Sequence, residues 1–148
     1  MRISQEADYA FRSILYMSVH QSSKNHNVRT LSENLHIPLR FTSKIFQKLK
    51  QARLVVSSRG IYGGYSLSRD VKDITFLHVL EAIDGPLCIN KCLRDVTHCS
   101  MKAADQCYIH RSLKKVQNEL RNALSSINFH DALQPIDHAP AETAQAMQ

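Results

Sequence analysis

The stretch from Thr30 to Arg69 constrains the fold more than any other part of the chain. Two short amphipathic segments meet at Ile37-Pro38. A proline there stops the first segment as a helix and suits the opening turn of the second. Thr30 and Glu33 have the spacing of a capping box, which predicts a helix running through Leu35. The next predicted helix, about Leu39 to Gln51, buries Phe41, Ile45, Phe46 and Leu49 and turns Arg40, Thr42, Ser43, Lys44, Lys48 and Lys50 outward. Beyond it, Leu54-Val55-Val56 and Tyr65-Ser66-Leu67 read as strands, joined by the hairpin-type connection Arg59-Gly60-Ile61-Tyr62-Gly63-Gly64. Two short helices across a tight turn, followed by a hairpin, form the pattern of a helix-turn-helix with a β-wing.

The flanks complete this unit. Residues 5 to 20 read as an amphipathic helix on Ala7, Ala10, Phe11, Ile14 and Leu15, with Ser4 as N-cap and Glu6 in the first turn. After the wing, a helix from about Ile74 to Ile83, with Asp73 or Thr75 near its start, is ended by Asp84-Gly85-Pro86. A long helix then runs from about Ala103 to Ile127. Ile109, Leu113, Val116, Leu120, Ala123 and Ile127 step by alternating fours and threes, the spacing of a coiled-coil seam. Such a helix could pack on its own domain, but the narrow seam favours a second copy of the chain. The fold class expected is mainly α: a winged helix-turn-helix domain with a small β-wing plus a long C-terminal dimerisation helix. Residues 1–84 are expected to form the winged helix-turn-helix domain, 85–108 a cysteine-rich loop and 103–130 the dimerisation helix. Residues 134–148, rich in Ala, Gln and Pro, form a tail expected to be disordered.

Charge placement carries the first functional inference. The net charge is +6, and between Ile37 and Arg69 there are seven lysines and arginines and no acidic residue. A charge run usually just solvates a surface; this one coincides with a recognition helix and a wing, which favours double-stranded DNA. The candidate contacts are Arg40, Thr42, Ser43, Lys44 and Lys48 of the helix with Arg59 and Tyr62 of the wing. Arg40 and Ser43 could reach base edges, Arg59 a minor groove or a phosphate, and the lysines the backbone. A homodimer would read a pseudo-palindromic operator. No apolar run approaches the ~20 residues a membrane span needs. Glu6, Asp8 and Arg12 interrupt any signal-peptide core, so a cytoplasmic location is expected. With neither a nucleophile–base pair nor a phosphate loop, no enzyme activity and no small-molecule substrate are expected.

All four cysteines lie between Cys88 and His110. In a reducing compartment such clustering points to metal or redox chemistry more than to disulfides. Six residues separate Cys92 from Cys99 and seven separate Cys99 from Cys107, so the paired CxxC knuckles of structural zinc are absent. The spacing is also unlike the ferredoxin patterns. Three separated cysteines suit a cluster embraced by a loop, its fourth position filled by Cys88, His110, His98 or a carboxylate. Lys91, Arg94 and Lys102 would lower the thiol pKa values. Iron–sulfur is favoured on these grounds; zinc, a thiol switch and inert cysteines stay open.

Taken together, residues 1 to 130 resemble the iron–sulfur-cluster regulator (IscR/NsrR) family of winged-helix transcription regulators. MRISQEADYAFRSILYM is similar to the family's first helix, and LRFTSKIFQKLKQARLVVSSRGIYGGYSLSRD to its recognition helix and wing. FLHVLEAIDGP followed by INKCL is similar to the approach to its cysteine loop. The resemblance implies a homodimer with crossing long helices and three cluster-binding cysteines, here Cys92, Cys99 and Cys107. The implied fourth ligand is Asp8 of the partner subunit, as in a nitric-oxide-sensing branch, or His110, as in a cluster-biogenesis branch; the IDGPLxINKCL context leans to Asp8. The expected cofactor is an iron–sulfur cluster, 4Fe–4S in preference to 2Fe–2S. The implied function is a repressor whose DNA affinity responds to nitric oxide, redox state or iron–sulfur supply. The alternative is a cluster-free or zinc-bound regulator acting through thiol oxidation or a protein partner. The chain also departs from the family. Arg53 replaces a glycine, so the recognition helix should not end in a left-handed cap without strain. Ile61-Tyr62 replace a proline-containing wing tip, and Pro38, Arg40 and Ser43 are unusual at base-contact positions. Cys88 has no counterpart.

Overall fold

In the structure, a computed structural model describing residues 2–21 and 25–134, the chain forms six α-helices and one two-stranded antiparallel sheet among the described residues. Helix α1 spans Gln5–Val19, and the Ser4 hydroxyl accepts from the Ala7 N–H at 3.0 Å, as an N-cap should. Ala7, Ala10, Ile14 and Met17 line its buried face. Ser13 and Ser18 are buried there too, and donate to the carbonyls of Tyr9 and Ile14, so neither hydroxyl is orphaned.

Helix α2 is Val28–Asn34. The expected Thr30–Glu33 box does not form; the helix starts three residues earlier because the Asn27 side chain, not that of Thr30, caps it, accepting from the Arg29 N–H at 2.8 Å. His36 turns the chain in the left-handed region, φ 52°, and α3 spans Leu39–Gln51 as expected. Ile45, Phe46 and Leu49 enter the core, while Phe41 is only half-buried. Helix α3 does end in the left-handed cap that Arg53 was expected to disfavour: Arg53 has φ 57°. The Leu54 N–H reaches back to the Leu49 carbonyl at 2.9 Å, so the last turn is closed at the cost of backbone strain in a residue with a Cβ.

Strands β1 (Val55–Ser58) and β2 (Gly64–Leu67) pair in the register Val55↔Leu67 to Ser58↔Gly64. His26 adds an isolated bridge to Tyr65 on the far side of β2, with hydrogen bonds of 2.8 and 2.9 Å. Gly64 is required at this junction, since a Cβ would stand 2.5 Å from the His26 carbonyl oxygen.

Helix α4 (Phe76–Asp84) is capped by Thr75, and His78 returns the favour: its Nδ1 accepts from the Thr75 N–H at 3.1 Å. Gly85, φ 83°, ends it. The cysteine loop contains the short α5 (Lys91–Arg94) and two 3-10 turns. Helix α6 is Tyr108–Ser126, five residues shorter at its start than expected, because Ala104–Gln106 form a separate turn. The expected single seam divides into two faces. Leu120 and Leu124 pack on the core, Gln117 accepts from the Ile89 N–H, and Arg121 pairs with Glu81. Ile109, Val116, Ala123 and Ile127 stay exposed.

After α6 the chain returns to the first domain. The Phe76 N–H donates to the Ile127 carbonyl, the Phe129 N–H to that of Ile74, and the Phe129 ring lies 4.9 Å from that of Phe76. Phe129 is fully buried, a core residue the periodicity did not reveal. Most of the expected tail, from residue 135, lies outside the described residues. No helix among the described residues is long and apolar enough to cross a membrane.

Candidate nucleic-acid interface and cysteine loop

The outward face of α3 is narrower than its sequence pattern implied. Thr42 is completely buried, its hydroxyl 3.4 Å from the carbonyls of Ile37 and Pro38. It fixes the turn and cannot touch DNA, which corrects the expectation. Arg40 is exposed, with its guanidinium 5.0 Å from the Phe41 ring centroid, and Ser43 is half-exposed. Gln47, seven residues from Arg40 and so on the same face, is exposed as well, a position that the pattern of cations and hydroxyls does not mark.

Lys44 and Lys48 are both engaged by a carboxylate of this chain. Glu6 of α1 reaches between them: Lys48 Nζ donates to Oε2 at 2.5 Å and to the Ile83 carbonyl at 3.0 Å. Lys44 Nζ stands 2.9 Å from Oε1, an ionic contact without hydrogen-bond geometry. Burial pushes the Glu6 carboxyl up, but the hydrogen bond from Lys48 and the charges of Lys48 and Lys44 outweigh it and leave it below its ordinary value. The Lys48 side chain is only 28% exposed, so it serves first as a tie between α1, α3 and the end of α4. Ser4 strengthens that junction by donating to Asp84 at 2.5 Å. In the wing, Arg59, Ile61 and Tyr62 are all exposed.

The cysteine loop leaves directly from Asp84. Cys92 lies in α5, Cys99 follows the turn Val96–His98, and Cys107 caps α6, its sulfur accepting from the His110 N–H at 3.4 Å. All four thiols are free and half-buried. Cys99 is held below the ordinary thiol range, chiefly by the backbone N–H groups of Ala103 and Met101, with Lys102 adding a smaller contribution. The cause is backbone N–H groups rather than the basic side chains expected to act there. Cys88 donates to the Asn90 carbonyl beside an open cleft of about 370 Å³ lined by Lys91, Arg94 and His98.

The candidate fourth ligands differ in their surroundings. Asp8 is half-exposed on α1 and ion-paired with Arg12 one turn on. His110 Nδ1 is buried without any hydrogen-bond partner. His98 Nδ1 is 3.6 Å from Asp95. Among the described residues no three His, Cys, Asp or Glu side chains stand together as a metal site, so Cys92, Cys99 and Cys107 are close along the loop but not gathered.

A helix-turn-helix with a two-stranded wing and a basic exposed face is the architecture of a winged-helix DNA-binding transcription regulator. The chain belongs to the Rrf2 family, described as iron-dependent transcriptional regulators, whose model matches residues 3–135. It is 27% identical over 135 residues to the HTH-type transcriptional regulator IscR of Photorhabdus laumondii, covering 88% of this chain and 78% of the relative. Its fold is similar to that of T. potens IscR, with a TM-score of 0.69 and 20% identity over 97% of this chain and 96% of the other. It is also similar to CymR, the global cysteine regulator of B. subtilis, with a TM-score of 0.66 and 21% identity over 89% and 95% of the two chains. The family is one of regulators, not enzymes.

Proposed function

We propose that this chain is a homodimeric repressor whose affinity for a pseudo-palindromic operator is set by an iron–sulfur cluster, preferably 4Fe–4S, held by Cys92, Cys99 and Cys107. The observation that carries this reading is a loop of three free, half-buried thiols, one kept towards thiolate by backbone amides, leaving directly from the α4 end to which the recognition helix is tied. Soft thiolates are the donor set such a cluster requires. The bound cluster would supply sensitivity to nitric oxide, oxidants or iron–sulfur supply. His110 is the stronger intrachain candidate for the fourth position, since a buried imidazole nitrogen lacking a partner is costly unless something binds it. Asp8 of the partner subunit, to which the sequence context leans, is the other candidate. The exposed row Ile109, Val116, Ala123 and Ile127 is suited to the dimer seam.

Coupling to DNA runs through this chain's own contacts. The loop begins one residue after Asp84, which holds Ser4, and two after Ile83, whose carbonyl holds Lys48 of α3. A shift of the loop therefore pulls on the support of both α1 and the recognition helix. The test is anaerobic purification with absorption spectrum, iron and sulfide analysis, and nitric oxide titration. A brown protein that loses colour in C92A, C99A and C107A supports the cluster, and the spectra of D8A and H110A assign the fourth ligand. A colourless protein refutes it and favours the second reading, a zinc-bound or cluster-free regulator acting through thiol oxidation or a partner protein. The ungathered thiols and the likeness to a cysteine regulator's fold are what favour that second reading.

A further inference from the structure

We infer that Ile61 and Tyr62 form an apolar wedge at the wing tip that enters the DNA minor groove beside Arg59, opens a base step and bends the duplex. This rests on the DNA-binding reading above and specifies how the wing engages. Among the described residues these two are the most exposed large hydrophobic side chains, at 95% and 89%. They are adjacent, and they occupy the two central positions of a turn closed by the Gly63 N–H donating to the Gly60 carbonyl at 2.9 Å.

The tip is held rigidly in this exposed position. A Cβ on Gly63 would lie 2.6 Å from the Ser58 carbonyl oxygen and 2.8 Å from that of Gly60, so the turn is tight enough to demand glycine. The Asn25 amide donates to the Tyr62 carbonyl at 3.1 Å, and His26 grips the base of β2 through two backbone bonds. The backbone that carries both apolar side chains cannot shift without breaking these ties. Preorganised exposure of this kind lowers the ordering cost of insertion.

The surroundings select the occupant. From Ile37 to Arg69 the chain carries seven cations and no acid, and Arg59 next to the tip is exposed, so the approach is to a polyanion. The minor groove is about 6 Å wide, room for an aliphatic side chain and the edge of a ring. Proteins that place apolar side chains there unstack a base step and kink the duplex, while a cation alongside holds the phosphate walls. An aromatic ring can also replace lost base stacking.

The test uses the full chain and a duplex recovered from a random-sequence library by the wild-type protein. Base unstacking is read with 2-aminopurine placed step by step along the site, and bending by energy transfer between dyes at the duplex ends. The wild type should raise 2-aminopurine fluorescence at one step and shorten the end-to-end distance. Ile61→Ala/Tyr62→Ala, on an exposed turn and checked by thermal melting, should lose both signals and bind the intact duplex about tenfold more weakly. It should bind within about twofold of wild type when that step already carries a mismatch, because the unstacking is then done. Arg59→Ala should instead keep the unstacking and reduce the salt slope by about one. A wild type that binds without unstacking or bending overturns the wedge alone, as does a double variant that retains both signals. A wild type that binds no duplex overturns the DNA-binding reading beneath it.

Discussion

Replacing Glu6 with Gln probes the junction on which the recognition helix rests. The Glu6 and Lys48 side chains are 17% and 28% exposed and meet at 2.5 Å. Fully exposed pairs contribute about 0–1 kcal/mol, whereas breaking a fully buried one costs about 3–5 kcal/mol. This pair lies between, and the glutamine retains an acceptor for Lys48, so the loss should be about 1.5–2 kcal/mol. Lys44 is 60% exposed and its share is screened. At about 4 °C per kcal/mol, the melting midpoint should fall by about 6–8 °C. The pH dependence supplies a second readout. The folded pKa of Glu6 is below its ordinary value of 4.5, so its stabilisation is present above that value and is lost as pH falls through the folded one. The acid limb of the stability curve should therefore flatten in E6Q. DNA binding should respond in the opposite sense to stability. Lys44, freed from Glu6, can meet a phosphate, steepening the slope of log affinity against log salt by up to about 0.9 per subunit. Calorimetry across pH and fluorescence anisotropy across salt measure all three effects. An E6Q protein melting within about 2 °C of the parent, with an unaltered acid limb, would refute the reasoning.

Arg53→Gly should stabilise the chain by about 1 kcal/mol in urea unfolding, since glycine adopts φ 57° without a Cβ penalty; a loss of stability would show that the arginine side chain outweighs the strain. Phe129→Ala should cost about 3–5 kcal/mol, because the ring is buried against Phe76 and Phe11; a near-neutral result would mean the segment after α6 does not dock. Thr42→Val should leave DNA affinity within about twofold, while Arg40→Ala weakens it about tenfold or more in anisotropy titrations. At the wing base, burial and then the charge of His20 depress the His26 pKa below 6.5, so the folded state resists its protonation. Stability should be constant above that pH and decline as pH falls below it through the folded value, and His26→Gln should remove this step from the amide-exchange profile of β2.

The cysteine loop and the long helix show where sequence reading reached its limit. Separation along the chain names Cys92, Cys99 and Cys107 as a group, but whether three thiols converge depends on turns that only the folded loop supplies, and among the described residues they do not. The cause of the lowered Cys99 pKa was likewise invisible, because it lies in backbone amides rather than in any side-chain type. On α6, spacing identified the apolar positions and could not tell the face covered by α4 from the face left open.

By itself the sequence determined the order of the helices, the break at Ile37-Pro38, the span of the recognition helix and the pairing of the wing. These follow from local rules: amphipathic period, caps, proline and glycine act within a few residues. The tertiary structure alone decided that Thr42 is buried, that Glu6 claims Lys44 and Lys48, that Phe129 completes the core, and that Ile61 and Tyr62 stand free. Each depends on which distant surface lies opposite a residue, and helical periodicity carries no information about that partner.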